Sequence, residues 1–121
     1  MYGKVSIESG RDCVKKLLSL SAVPDGVFAV EDFTALGAMQ VIKVANKKIP
    51  EEIAIIGFAN EPFGEYITPS LSTVNQQTVQ MGVEAAKLFF EAFKNGGSAN
   101  FKPAKLVLQR ELICRQSSTK Y

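Results

Sequence analysis

Residues 53–76 read IAIIGFANEPFGEYITPSLSTVNQ, and the rest of the chain is best understood from this stretch outward. The stretch begins with an unbroken apolar run, residues 53–56, which is followed by a Gly-Phe pair and a polar loop. A second short apolar run follows at residues 71–74. Short apolar runs bounded by turn residues are typical of strands buried on both faces, as in parallel sheets. In open parallel sheets the ligand crevice lies at the carboxyl ends of the strands. The loop at residues 59–66 is therefore the first candidate for a binding site.

A strand and a helix precede this stretch in the order expected of a βαβ unit. Residues 27–30 (VFAV) form a compact apolar run, and apolar residues at helical spacing over residues 36–44 predict a helix that follows Asp32 and has one buried face. Lysines and a proline then separate this helix from the strand at residues 53–58. Strand, helix and strand in this order predict two parallel strands joined by a right-handed crossover.

Two further helices and a final strand are predicted outside this unit. The first helix is expected to follow Ser9, which is a suitable N-cap residue. A long helix over residues 78–95, with Phe89, Phe90 and Phe93 on its apolar face, is expected to stop at the Gly-Gly pair that follows it. Alternating residues 105–113 predict a strand, and the polar residues after it, 114–121, are expected to fray. The chain is therefore predicted to be an α/β protein.

Two acidic residues lie between the first predicted strand and its helix. Asp32 directly precedes the helix, where a carboxylate accepts free backbone N–H groups and complements the helix dipole, so it is expected to be the N-cap. Glu31 is not expected to be able to cap the same helix, and is expected to point into the crevice. Both residues are candidates for ligand binding, although capping would explain Asp32 without any ligand.

Composition restricts the function further. The 121 residues are 46% hydrophobic and 21% charged, as in ordinary globular proteins, and a net charge of +2 argues against a surface that grips a nucleic-acid backbone. No apolar stretch is long enough to span a membrane, and the N-terminus lacks the pattern of a secretory signal.

The residue types needed for most metal and nucleophile chemistry are missing or isolated. Histidine is absent, and Cys13 and Cys114 are far apart, which excludes the usual zinc spacings and histidine-dependent nucleophiles. We expect two reduced thiols in a cytoplasmic protein, while a disulfide between them remains open. No glycine-rich phosphate loop is present, so an enzyme is disfavoured, and neither a metal nor a cofactor is expected.

Several consecutive segments resemble the effector-binding core of LacI/GalR-family transcription repressors. They read PDGVFA and EDFTALGA (residues 24–29 and 31–38), IPEEIAIIGF (49–58), TPSLSTVNQ (68–76), and a Met-Gly pair that opens the long helix. The resemblance covers residues 3–115, and its specificity comes from the shared order and spacing of the segments. It implies a three-layer α/β fold with parallel sheets, of the periplasmic binding protein-like I type.

The resemblance also implies how the chain is divided. Residues 1–74 would form the C-terminal subdomain, 75–105 a crossover helix that belongs to the first subdomain, 106–115 a returning strand, and 116–121 a tail. Most of the first subdomain and the DNA-binding headpiece would lie outside this chain. The aromatic face of the long helix would then lack part of its natural cover, which favours association or a shifted helix.

The function implied by the resemblance is that of a cytoplasmic regulator that binds a sugar or related metabolite, forms a homodimer, and reaches operator DNA only through its headpiece. A periplasmic sugar-binding transport receptor of the same fold is the alternative. The family's carboxylate after the Gly-Phe pair is replaced by Ala59, so Glu31 is expected to supply a hydrogen-bond acceptor in its place. The predicted effector-binding residues are Glu31, Asp32, Asn60 and Gln76. The residues that correspond to positions near the family's dimer contact are Leu36, Tyr66 and Ile67. Packing within the core or the loop would explain the presence of these residues equally well.

Overall fold

The computed structural model describes residues 4–94, 96 and 103–120. The chain divides into two compact units, the first formed by Met1–Asn75 with Glu111–Tyr121 and the second by Gln76–Arg110. Within the described residues the first unit contains a four-stranded sheet and two α-helices, and the second contains one long α-helix. No helix among these residues is both long and apolar enough to cross a membrane.

The sheet confirms the predicted α/β fold. Its strands lie in the order β1-β2-β3-β4; β1, β2 and β3 are mutually parallel, and β4 pairs antiparallel with β3. The sheet is thus mixed, because the final strand returns alongside β3. The strands are β1 Gly26–Phe28, β2 Ala54–Phe58, β3 Ser72–Asn75 and β4 Glu111–Ile113, and the helices are α1 Ile7–Leu18, α2 Asp32–Val44 and α3 Thr78–Lys94, with a short 3-10 helix at Pro62–Glu65.

Helix α1 begins three residues earlier than predicted. The Ser6 hydroxyl accepts a hydrogen bond from Ser9 N at 3.1 Å, and Ser6 has an extended backbone with φ of −163°. Ser6 is therefore the N-cap, and the prediction that Ser9 caps the helix is wrong. A capping hydroxyl must stand two or three residues before the N–H that it accepts from, and Ser9 is the residue whose N–H is accepted.

The core of the first unit lies where α2 meets α1 and one face of β2. Along β2 the side chains alternate, so that Ile55 and Gly57 are buried while Ile56 and Phe58 are half-buried on the opposite face. This alternation follows from the two-residue period of a strand. The buried apolar residues are Val14, Ala29, Ala35, Ala38, Met39, Ile42, Ile53, Ile55 and Leu71.

Two glycines allow the backbones of α1 and α2 to touch. A Cβ atom added to Gly10 would overlap Thr34 O, and one added to Gly37 would overlap Ile7 O. Both neighbours are backbone atoms, so a side chain cannot move aside to make room. The crossing of the two helices therefore depends on the absence of a side chain at both positions.

Replacing Gly37 by alanine is expected to lower the free energy of unfolding by about 1–2 kcal/mol, because the cost of overpacking exceeds the gain in helix propensity. Gly82→Ala is the matched control, since Gly82 also lies inside a helix but a Cβ there meets no atom within 4 Å. The control should be neutral or stabilising by up to about 1 kcal/mol. Urea denaturation checks both, and equal behaviour of the two variants would contradict the backbone contact.

The C-terminal segment is integrated into the first unit. Ser117 is completely buried; its backbone N–H donates to Ser70 O at 2.9 Å, and its carbonyl accepts from Ile55 N at 2.8 Å. The prediction that residues 114–121 fray is therefore wrong for residues 114–120, while Tyr121 lies outside the described residues. The predicted strand at 105–113 is a strand only at Glu111–Ile113.

In the second unit, α3 runs over Thr78–Lys94, and the last predicted residue, Asn95, lies outside the described residues. No residue of α3 is buried, and the rings of Phe89, Phe90 and Phe93 are exposed and contact one another with centroids 5.6 and 6.4 Å apart. Gly96 has a φ of 93°, the left-handed conformation expected of a residue that ends a helix, and Gly97 lies outside the described residues.

Candidate functional site

The candidate site lies at the carboxyl edge of the parallel strands. Because β1, β2 and β3 run in the same direction, the residues that follow them share one edge of the sheet. Glu31 follows β1, and Asn60 follows β2. Gln76 follows β3 in sequence and is the first residue of the second unit. The structure thus brings Glu31, Asp32 and Asn60 to one edge of the first unit.

The two acidic residues after β1 have the opposite roles to those predicted. Glu31 is the N-cap of α2, with Oε2 accepting from Phe33 N at 2.9 Å and Thr34 N at 3.2 Å. Asp32 is the first helical residue and does not cap. Both predictions, that Asp32 caps the helix and that Glu31 cannot cap it, are wrong. The extended backbone of Glu31 lets its longer side chain turn back over the first turn, whereas Asp32 points into the sheet edge.

Asp32 is fully buried, and both of its carboxylate oxygens are engaged. Oδ1 accepts from Thr73 Oγ1 and Oδ2 from Glu61 N, each at 2.7 Å. Gly57 is needed beside it, because a Cβ atom there would overlap Asp32 Oδ1. Hydrogen bonds to a carboxylate are among the stronger ones in proteins. Asp32 therefore holds the loop after β2 and does not present a carboxylate to a ligand.

The loop after β2 has an unusual backbone. Ala59 and Asn60 have φ values of 132° and 62°, in a region that residues with a side chain rarely adopt. Ala59 N donates to Val74 O at 3.0 Å, and Asn60 N donates to Thr73 Oγ1 at 3.2 Å. Such conformations persist only where the surroundings hold them, and they cluster at functional sites. This loop is thus held in one particular shape by the neighbouring strand β3.

Glu31 remains able to bind a ligand although it caps α2. The two capping bonds use only Oε2, and among the described residues Oε1 accepts no hydrogen bond. Glu31 is half-buried, at the N-terminus of α2. One carboxylate oxygen at the sheet edge can accept a hydrogen bond from a ligand hydroxyl or amine, while the other keeps the side chain in place.

Gln76 lies in the second unit and lines a cavity of about 440 Å³ within it. Met81, Glu84 and Leu106 line the same cavity. A hydrogen bond from Lys87 Nζ at 2.9 Å lowers the pKa of the Glu84 carboxyl below its ordinary value. The cavity that Gln76 lines therefore also contains a carboxylate, which is ion-paired with Lys87.

The predicted dimer residues have different environments. Tyr66 is 84% exposed, Leu36 is half-buried, and Ile67 packs against the core. Close to Tyr66 in sequence, the ring of Phe63 packs on that of Phe33 with centroids 4.9 Å apart. Tyr66 is thus the residue of the three that offers most apolar surface to a partner.

Three residues that shape the site were not apparent from the sequence. Thr73 links Asp32 to the loop, and Arg115 and Ser117 bind the C-terminal segment to β2, β3 and the loop. They are polar, so apolar periodicity does not reveal them. Both cysteines are free, and no cluster of metal-ligating side chains occurs among the residues that the structure describes.

Comparison with known proteins gives consistent relatives. A family model, the periplasmic binding protein-like domain, matches residues 3–118. The chain is 31% identical over 116 residues to the HTH-type transcriptional regulator CelR of Thermobifida fusca, covering 96% of this chain and 33% of that protein.

Two solved structures are similar to the chain as well. They are a transcriptional regulator CelR–cellobiose complex (TM-score 0.87, 31% identity, 97% of this chain and 35% of that chain) and a LacI family transcriptional regulator of Enterococcus faecium with bound ribose (0.83, 30%, 95% and 41%). The chain thus spans about a third of the length of the curated relative and 35–41% of these structures. All of these relatives are named as transcriptional regulators.

Proposed function

This chain belongs to the periplasmic binding protein-like domain family, and from that we propose that it is the effector-sensing part of a LacI-type transcriptional regulator. The effector is a small carbohydrate or related metabolite. The regulator acts in the cytoplasm as a homodimer, and operator DNA is bound by a separate headpiece. The near-neutral net charge of this chain supports a sensing role, since it gives the chain little overall electrostatic attraction for DNA.

The observation that carries the proposal is the polar edge formed by Glu31 and the loop at residues 59–66, hereafter the effector loop. It lies at the carboxyl ends of parallel strands, where ligands bind in open α/β sheets. The φ of 132° at Ala59 is a rare conformation of the kind that clusters at functional sites, which supports a binding role for the loop. Glu31 and Asn60 contact the effector, and Asp32 holds the loop from inside.

Gln76 is proposed as a further effector-binding residue. It directly follows β3 and begins the unit Gln76–Arg110, and its carboxamide offers both a donor and an acceptor to a hydroxyl group. A ligand shifts a conformational equilibrium only by its difference in affinity for the two states. Effector binding would therefore change the activity of the regulator by favouring the state to which the effector binds more tightly.

The carbohydrate class is supported by chemistry and by relatives. Glu31 offers a carboxylate acceptor and Asn60 an amide, which suit hydroxyl groups. Two of the similar solved structures contain cellobiose and ribose. Ala59 supplies no side-chain acceptor after β2, so we propose the Glu31 carboxylate as an acceptor for a sugar hydroxyl.

Replacing Glu31 by glutamine is expected to weaken sugar binding by about tenfold, because a charged acceptor becomes a neutral one. The amide oxygen of glutamine can still accept from Phe33 N and Thr34 N, so the thermal midpoint should hardly change. The measurement is calorimetric titration with D-ribose and with cellobiose, whichever binds the unmodified protein. Glu51→Gln, on an exposed residue of the connector before β2, is the control. Unchanged affinity in Glu31→Gln would remove this residue from the site.

The homodimer is proposed to use the surface around Tyr66, together with Leu36 and Ile67. An exposed tyrosine near the Phe33–Phe63 pair is a combination enriched in protein interfaces. Ile67 packs on the core of its own unit, so it would hold the interface residues in place more than contact the partner subunit.

A further inference from the structure

Arg115 makes contacts to three separate parts of the first unit. Its Nη2 donates to Asn60 Oδ1 at 3.1 Å and to Glu65 Oε1 at 2.9 Å, and its Nη1 donates to Leu71 O at 2.8 Å. Only 12% of its side chain is exposed. One guanidinium therefore joins both ends of the effector loop to the residue before β3, from a segment that follows β4.

We propose that Arg115 is the positioning residue of the effector loop and fixes which atoms of Asn60 face the effector. The statement that the loop binds an effector rests on the function proposed above. The statement that Arg115 holds the loop in place is independent of that function. Asp32 holds the loop from the buried side through Glu61 N, and Arg115 holds it through the Asn60 and Glu65 side chains.

The backbone of Arg115 is itself fixed, as a positioning residue requires. Arg115 N donates to Ser72 Oγ at 2.7 Å, and its carbonyl accepts from Ser72 Oγ at 3.0 Å and from Thr119 Oγ1 at 2.8 Å. Ser117 then anchors the same segment to β2. The guanidinium thus extends towards the loop from a base that is hydrogen-bonded to two strands.

The shape of the guanidinium matters more than its charge. Two of its three acceptors, Asn60 Oδ1 and Leu71 O, are neutral, and the charged one, Glu65, is 59% exposed. Exposed ion pairs contribute little to stability. A planar fork can reach three acceptors in different directions, whereas a lysine ammonium on a flexible stem cannot reproduce this arrangement. Arginine is therefore needed at this position for geometric reasons.

This contact sets the chemistry that Asn60 presents. A guanidinium is only a donor, so the atom of Asn60 that faces it must be the amide oxygen. The Nδ2 group is then left as the donor for a ligand. The first unit consequently presents an acceptor at Glu31 and a donor at Asn60, and its effector must carry a hydroxyl or amine near the first and an acceptor oxygen near the second.

The test is residue-resolved amide hydrogen exchange by NMR on Arg115→Lys. Protection of the loop amides, among them Glu61 and Gly64, should fall by about tenfold, while β2 and α2 keep theirs, because the guanidinium bonds the loop and Leu71 but no residue of β2 or α2. Arg11→Lys is the matched control, since Arg11 also uses two guanidinium nitrogens, bonded to Gln40 on another surface, and should leave the loop unchanged. Glu65→Gln should retain most of the protection.

Two results would overturn the proposal. One is unchanged loop protection in Arg115→Lys, and the other is an equal loss across loop, β2 and α2, which would mean that Arg115 only adds to global stability. Asn60→Ala provides a second variant within the loop itself and should loosen the same amides. If exchange behaves as expected but neither D-ribose nor cellobiose binds, the proposed function loses support and the positioning role stands.

Discussion

Replacing Asp32 by alanine is expected to lower the free energy of unfolding of the first unit by about 3–5 kcal/mol, because two charge-assisted hydrogen bonds are lost at a fully buried position. The loss includes the cost of leaving Thr73 Oγ1 and Glu61 N without their acceptor. Urea denaturation followed by circular dichroism would measure it. The effector loop should also lose its shape, so sugar binding should disappear with stability.

Two variants make the Asp32 experiment specific. Asp32→Asn keeps the size of the side chain but turns one acceptor into a donor, so about half of the loss is expected. Asp12→Ala removes an exposed carboxylate from α1 whose ion-pair partner, Lys15, is 3.9 Å away, and should change stability by less than about 0.5 kcal/mol. A loss below about 1 kcal/mol in Asp32→Ala would show that the buried network contributes little.

Replacing Ser117 by alanine is expected to cost about 2–4 kcal/mol, because two backbone groups lose their partner inside the protein. The Ser117 hydroxyl accepts from Ser72 N at 2.8 Å and donates to Ile55 O at 2.7 Å. The Ser117 hydroxyl thus bonds backbone groups of Ile55 and Ser72 at the end of β2 and β3 where the pairing of the two strands starts. An unpaired backbone group at a buried site carries its full desolvation cost.

The control for Ser117 is Ser21→Ala, at an exposed position in the connection that follows α1. It should change the urea midpoint by an amount equivalent to less than about 0.5 kcal/mol. Hydrogen exchange adds a local measurement, since the Ser72 amide should exchange faster in Ser117→Ala. Equal stability of the two serine variants would mean that the C-terminal segment is not bound to the sheet as described.

The position of the site's loop could be predicted from the sequence, but the roles of its polar residues could not. The position of the effector loop after β2 was predictable, because an apolar strand followed by small and polar residues is a local pattern. The exchange of roles between Glu31 and Asp32 was not, since both acids suit the start of a helix. What separates them is Thr73 and the backbone of Glu61, which occupy the space into which Asp32 points.

The burial of the C-terminal segment also could not be predicted from the sequence. A polar sequence after the final strand is typical of a frayed end, and nothing in residues 114–120 suggests burial. Ser117 and Arg115 are nevertheless held by several hydrogen bonds each, because β2 and β3 leave backbone groups that need partners. The composition of a segment does not show which backbone groups of distant strands lack a hydrogen-bond partner.

Apolar periodicity and turn residues within short windows were enough to predict the α/β class, the parallel pairing of β1 and β2, and the position of the loop that follows β2. Which polar side chains hold that loop depends on the folded arrangement alone. Glu61 and Asp32 are 29 positions apart, Arg115 and Asn60 are 55, and Ser117 and Ile55 are 62. Hydrogen bonds of this kind depend on distance and direction in space, and neither is encoded in the local pattern of the chain.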